Sequence, residues 1–153
     1  MEQKALLRSN YFMHLDYSVS LGEVYSRFML GLKEKRVLGN KCNQCGRMYV
    51  PPQPFCPICY KEMGEWVETN GEGTVQSFAV TYRQFLGLPK PPYTIGVIKI
   101  GDSAISMLHW IAGIAYERPE DIPNKIQIGM KVKPVWARKR KGEILDIAYF
   151  KLV

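Results

Sequence analysis

Long apolar runs are missing from this chain of 153 residues, and with them any segment able to cross a bilayer as a helix. No membrane partner is expected. Residues 1–8 lack the apolar stretch of a signal peptide, so a cytoplasmic, reducing location is expected. Histidine is scarce: His14 and His109 are the two side chains whose ordinary pKa lies near neutrality. His109 alternates with Trp110 in a strand pattern and reads as a strand residue rather than a catalyst, and His14 sits in an irregular N-terminal arm. The chain has no G-x-S-x-G elbow, no P-loop and no G-x-G-x-x-G. Gly71-Glu72-Gly73 is too short for a nucleotide loop and falls at a strand turn. Acidic residues are in deficit, 14 against 21 lysines and arginines, for a net charge of +7. That balance points to an anionic partner, whether nucleic acid, a phosphorylated cofactor or an acidic protein surface.

Cysteine is also sparse, yet all four are paired. Cys42-Asn43-Gln44-Cys45-Gly46 and Cys56-Pro57-Ile58-Cys59 are two C-x-x-C turns separated by ten residues. Each turn aims two sulfurs at one point, and two turns supply the four thiolates of a tetrahedral structural zinc site. Rubredoxin-type iron uses the same ligands, and two disulfides use the same count; a reducing location disfavours the latter. No thiol is left over as a nucleophile. A closed four-thiolate site has no open coordination position, so the metal is expected to be structural.

The chain in order is mixed over residues 1–18. Ser20 and Glu23 then have capping-box spacing, with Val19 and Val24 as a staple. Leu21, Val24, Tyr25, Phe28 and Leu32 recur at helical intervals, predicting an amphipathic helix over 21–38 with Gly39 as its stop. Its apolar stripe suits either this chain or a partner. Residues 40–63 read as a metal ribbon with a short strand at 48–50 and a stiff bridge, Pro51-Pro52-Gln53-Pro54. Such a module has little core of its own, so the metal should supply its folding energy, and losing it should leave the rest folded. Gly46 follows the second ligand, where a left-handed residue is wanted; Tyr60 stands at the equivalent place. From Gly64 the pattern turns to strands. After residues 66–69 and an Asn70-Gly71 turn, strands are expected at 74–82, 94–100, 103–110, 131–136 and 143–152. Five strands with a long connection after the third suggest a Greek-key barrel of the OB type, so the fold class is mainly β. The expected division is a helical segment 1–39, a zinc ribbon 40–63 and an OB-fold domain 64–153.

The order of motifs resembles a known family: a zinc-ribbon/OB-fold family long labelled as a domain of unknown function and encoded beside thiolases and acyl-CoA enzymes. The likeness rests on residues 42–46, 49–59, 65–67, 71–75, 77–80, 91–93 and 128–132, and spans 21–153. It implies a non-catalytic bridge or accessory subunit for thiolase and hydroxymethylglutaryl-CoA (HMG-CoA) synthase enzymes. It also implies relatives that support hydratases and aldolases, and an acyl-CoA contact.

Two surface stretches could make such contacts. Arg138, Lys139, Arg140 and Lys141 form a basic turn, and Lys131 and Lys133 alternate on the strand before it. They suit phosphates of CoA or of nucleic acid; a solvated hairpin tip is the plainer account. Phe85, Leu86 and Leu88, in the loop 83–92, suit a pantetheine-like ligand or a protein groove, or cover one end of the barrel. A single-stranded nucleic-acid-binding zinc-ribbon/OB-fold protein is the rival reading, and a stand-alone enzyme a weaker third. Elemental analysis of the purified chain should find one zinc per chain and no visible absorption; iron with a visible band would overturn the zinc assignment.

Overall fold

The computed structural model describes residues 17–153. Most of the arm at 1–18, including His14, lies outside them. Three parts follow one another: helix α1 (Gly22–Lys33), a three-stranded sheet, and a closed five-stranded barrel.

Helix α1 is shorter than its apolar pattern. Ser20 is not its cap; Leu21 is, with no side-chain capping bond, and Gly22, the first residue of the helix, takes φ +67° and turns the chain there. Lys35, not Gly39, ends it. Lys35 adopts φ +64°, and the N–H groups of Lys35 and Arg36 donate to the carbonyls of Leu32 and Gly31. That is a Schellman closure with lysine in the place that glycine usually fills. Of the apolar stripe, Phe28 and Leu32 are buried, whereas Leu21 is exposed.

The chain then enters β1 (Val37–Lys41), which pairs on one side with β2 (Met48–Tyr49) and on the other with β3 (Trp66–Thr69). Gly39 therefore lies inside a strand. A Cβ there would sit 2.6 Å from a Val50 methyl and 2.7 Å from the Tyr49 carbonyl oxygen. β3 completes this sheet, so the chain crosses to the barrel at the turn 70–72, later than the change of pattern at Gly64. Arg27 stacks on the Trp66 ring at 4.3 Å and ties α1 to the sheet.

The barrel comprises β4 (Gly73–Thr81), β5 (Tyr93–Ile100), β6 (Met107–Ile111), β7 (Lys131–Trp136) and β8 (Ile147–Leu152). Its order is β4-β5-β6-β8-β7, with β6 and β8 parallel and the rest antiparallel. This is the Greek-key closure of an OB-fold. Alternation is clear in β5, where Thr94, Gly96, Ile98 and Ile100 face the core. β4 bulges between Val75 and Ser77, and its first two residues, Gly73 and Thr74, reach β7. Pro134 is tolerated in β7 because β4 pairs with that strand only at Val132 and Lys131. The third strand starts later than its sequence suggests, since residues 103–106 turn against the sheet. The fifth is preceded by a 3-10 turn, Ile144–Asp146. In the long connection, a 3-10 turn at Pro119–Asp121 runs into the short helix α2 (Ile122–Lys125).

One hydrophobic core joins all three parts. Phe28 and Leu32 of α1 and Val37, Leu38 and Val50 of the ribbon belong to the same buried cluster as Val75, Ile98, Val132 and Phe150. Polar contacts seal the seam. The buried hydroxyl of Ser103 accepts the N–H of Val50 at 2.9 Å and that of Ile105 at 3.2 Å, and the Ala104 N–H donates to the Met48 carbonyl at 2.7 Å. Gly39→Ala should lower the unfolding free energy by about 2–3 kcal/mol in urea titration, because the added methyl meets main chain that cannot move aside.

Candidate metal centre and ligand groove

The first C-x-x-C turn lies between β1 and β2, and the second at the ribbon's far end. Both close the same way. The N–H of Gly46 (φ +70°) donates to the Cys42 carbonyl, and the Cys42 N–H to the Arg47 carbonyl. The N–H of Tyr60 (φ +54°) likewise donates to the Cys56 carbonyl, and the Cys56 N–H to the Lys61 carbonyl. Tyr60 thus adopts the left-handed backbone that Gly46 adopts, at a cost of about 1–2 kcal/mol for a non-glycine residue. Asn40 is buried and clamps the proline bridge: its amide nitrogen donates to the Gln53 carbonyl at 2.7 Å, and its amide oxygen accepts the Gln53 N–H at 3.1 Å.

The two turns bring all four sulfurs within 4.8 Å of one another. A tetrahedron with 2.3 Å metal–sulfur bonds has edges of about 3.8 Å, and Cys45 Sγ lies 3.7 Å from Cys56 Sγ. The cysteines are free thiols, not disulfides, and the donor set fits a four-coordinate metal. Cys42 and Cys56 are buried, Cys59 is half-buried and Cys45 is exposed.

The sulfurs do not share charge equally. Burial pushes the Cys56 thiol up, but the backbone N–H groups of Cys59 and Ile58 outweigh this and bring it down to about 6. Burial, then hydrogen bonds with the other three sulfurs, push Cys59 up to about 12. One thiolate in the cluster makes the next costly unless a cation joins them.

A second feature lies on the barrel. A groove of about 470 Å³ is lined by Tyr93, Trp110, Tyr116, Leu145 and Tyr149, with Pro89 and Pro92 at its lip. A smaller hollow of about 200 Å³ adjoins it and adds Ile95 and Leu108 to the wall. Tyr93 and Trp110 meet edge to face at 5.3 Å. In an OB-fold the second and third strands, flanked by the first and fourth loops, form the usual ligand face. Here those strands are β5 and β6, and the loops are 82–92 and 137–146.

The groove escaped the sequence reading, although a signal was present. The core-facing positions of β5 and β6 are filled, yet the alternate positions Tyr93, Ile95, Val97, Leu108 and Trp110 are also apolar. A sheet with one wet face would carry polar residues there.

The apolar loop residues Phe85, Leu86 and Leu88 are exposed, Leu86 completely, so they do not cap the barrel. Gln84 folds the loop on itself by donating to the carbonyls of Phe85 and Leu88. The basic residues are not one surface. Arg138, Lys139, Lys133 and Lys141 are exposed, and Lys131 Nζ donates to Thr74 Oγ1 at 2.9 Å. Arg140 is engaged inward: Nε donates to the Lys33 carbonyl at the end of α1, and Nη1 to the Ala137 carbonyl. Asp146 organises that turn, accepting the N–H groups of Lys141, Gly142 and Glu143. Burial pushes its carboxyl up, but those three donors, helped by the Arg140 charge, hold it below the usual carboxylate range.

His109 is buried and committed to the fold. Nδ1 accepts the Trp110 N–H at 2.9 Å, Nε2 lies 3.3 Å from the Ile144 carbonyl, and the ring meets Phe150 edge to face. Burial lowers its pKa, outweighing those two contacts. Among the described residues, no helix is long and apolar enough to cross a membrane.

A four-cysteine ribbon seated on an OB-fold barrel defines a two-module protein class, and comparison with known proteins places the chain within it. Family models match for the rubredoxin-like zinc ribbon domain of ChsH2 over residues 31–62 and for the C-terminal OB-fold domain of ChsH2 over 66–137. A DUF35 domain-containing scaffold protein of Methanocaldococcus jannaschii is 31% identical over 123 residues, covering 77% of this chain and 81% of that protein. The chain belongs to the DUF35 family. A scaffold protein of the same description from Pyrococcus furiosus is 25% identical, covering 78% and 86%. A probable enoyl-CoA hydratase alpha subunit of Thermomonospora curvata is 29% identical over 68% of this chain, and the match spans 30% of that longer protein. Among solved structures, a DUF35-family protein of unknown function from Sulfolobus solfataricus superposes with a TM-score of 0.62 at 23% identity, covering 86% and 83%. An Ltp2-ChsH2(DUF35) aldolase gives 0.62 at 22% identity, covering 88% and 97%. These two likenesses confirm the fold.

The shared core revises one expectation from the sequence. Because Val37, Leu38 and Val50 pack on barrel residues, loss of metal should not leave the barrel untouched. Stripping metal with a strong chelator should lower the melting temperature by roughly 10 °C or more, as loss of a few kcal/mol does for a chain of this size. Barrel and ribbon signals should fall together in calorimetry and near-ultraviolet circular dichroism.

Proposed function

We propose that this chain is a non-catalytic accessory subunit that bridges or supports thiolase and HMG-CoA-synthase-type enzymes. The observation that carries the reading is the apolar outer face of β5 and β6, where Ile95, Leu108, Trp110 and Tyr93 line the groove and its neighbouring hollow; the loop that leads into β5 also exposes Phe85, Leu86 and Leu88. An exposed apolar surface of this kind marks a binding face. Membership of a family whose relatives are named scaffold proteins supports it. The metal is zinc in this reading, and its role is structural: it fixes the ribbon against the helix and barrel. Lys131, Lys133, Arg138, Lys139 and Lys141 are the candidates for phosphate contacts to an acyl-CoA. Arg140, engaged with two carbonyls, is a weaker candidate than these.

The mechanism is positioning. An accessory subunit that holds two CoA enzymes together lets an unfavourable condensation product reach the next active site before it is lost. The groove's volume lies in the range of small-ligand sites, and its aromatic walls suit an apolar chain.

The test is purification of the tagged chain from its native cell at moderate salt. A thiolase or HMG-CoA synthase should accompany it, and Leu108→Asp, on the exposed outer face, should weaken that association by about tenfold or more while leaving the melting temperature unchanged. A chain that elutes alone refutes the reading. Tight, salt-sensitive binding of single-stranded oligonucleotides would instead favour the nucleic-acid reading, since phosphate contacts release counterions.

A further inference from the structure

We infer that Tyr49 is a positioning residue of the metal centre: its hydroxyl donates to Cys56 Sγ and makes Cys56 the anchor thiolate, so that metal is exchanged from the Cys45 side. Tyr49 is 1% exposed and Cys56 is fully buried. The phenol oxygen lies 3.7 Å from Cys56 Sγ, its one side-chain hydrogen bond among the described residues. No described buried side-chain nitrogen or oxygen lacks a partner. A hydroxyl in so dry a place needs its hydrogen bond. A metal-bound thiolate has no proton to give, so in the loaded protein the hydroxyl must be the donor and the sulfur the acceptor.

The geometry holds the hydroxyl in place. Tyr49 is in β2, opposite Asn40 of β1, and its ring packs in a small cluster with Cys42, Cys56, Met63 and Ile105. Cys56 therefore has a fixed hydroxyl donor in a place closed to water. Cys45, in contrast, is exposed to solvent. Donors around a thiolate disperse its charge, so the sulfur resists protonation and attack by electrophiles. Water, protons and competing chelators meet Cys45 first. The site is thus graded from a protected corner to an open one, although its four ligands are chemically identical.

Tyr49→Phe keeps the ring and removes the oxygen, and the test uses the full chain loaded with zinc or with cobalt(II). Zinc transfer to the coloured chelator 4-(2-pyridylazo)resorcinol should be about tenfold faster in the variant, as for other groups that orient metal ligands. The sulfur-to-cobalt charge-transfer band should move to longer wavelength, because a sulfur without its donor gives up charge more readily. Timed alkylation read by mass spectrometry should label Cys45 first and Cys56 last in the native chain, with the delay at Cys56 shortened in the variant. Ile105→Val serves as control, since it loosens the same cluster without touching the hydrogen bond; it should lower the melting temperature and leave the cobalt band in place. An unchanged band and release rate in Tyr49→Phe overturn the inference. So does an equal band shift in Ile105→Val, which would assign the effect to packing.

Discussion

Four sulfurs within 4.8 Å repel one another as thiolates, and a bound cation is what turns that repulsion into cohesion. The rest of the molecule is arranged on this constraint. A metal held there would close two short turns; the turns align β1 with β2; and β1, paired with β3, offers Val37, Leu38 and the neighbouring Val50 to a core that the barrel completes. The seam at Ser103 then holds sheet and barrel together through hydrogen bonds that exclude water. A ribbon of this size could not bury enough surface alone. It is stable as the rim of a larger core, and a metal at the four cysteines would fix that rim in one shape.

Polar and apolar groups divide along an instructive line. Three polar residues outside the metal turns are engaged inward. His109 has both ring nitrogens facing main-chain partners, Arg140 holds two carbonyls, and Asp146 gathers three amides. Groups that suggest packing are turned outward: Leu86, Leu108 and, on the second metal turn, Phe55, Ile58 and Tyr60. That inversion is what a protein acting through its surfaces requires, and it suits the accessory role proposed for it.

Much of the fold was legible because its determinants are local. The C-x-x-C spacing fixes the ribbon, and two-residue alternation marks the barrel strands, most clearly in β5. The misreadings have a common cause in tertiary contact. Gly39 looked like a helix stop, but it is needed where β1 passes against Val50 and the Tyr49 carbonyl. Lys35 carries no residue-type signal for a left-handed backbone, yet it ends the helix. Ser20 had a cap's spacing and lost the role to the turn at Gly22. The convergence of the four cysteines could be read from their spacing, whereas the contacts of Tyr49 and Ser103 could not, since each involves a residue distant in sequence. The groove lay between these cases, visible as apolar residues on both faces of two strands.

The loop 137–146 touches three parts of the structure at once. Arg140 reaches the end of α1, Asp146 ties the loop to itself, and Leu145 stands in the groove wall. Binding surfaces on loops usually lose affinity to the entropy of ordering them on contact. Here that ordering belongs to the folded chain before any partner arrives. The groove is therefore preorganised, and a ligand that fits it can convert more of its contact area into affinity than it could against a mobile wall.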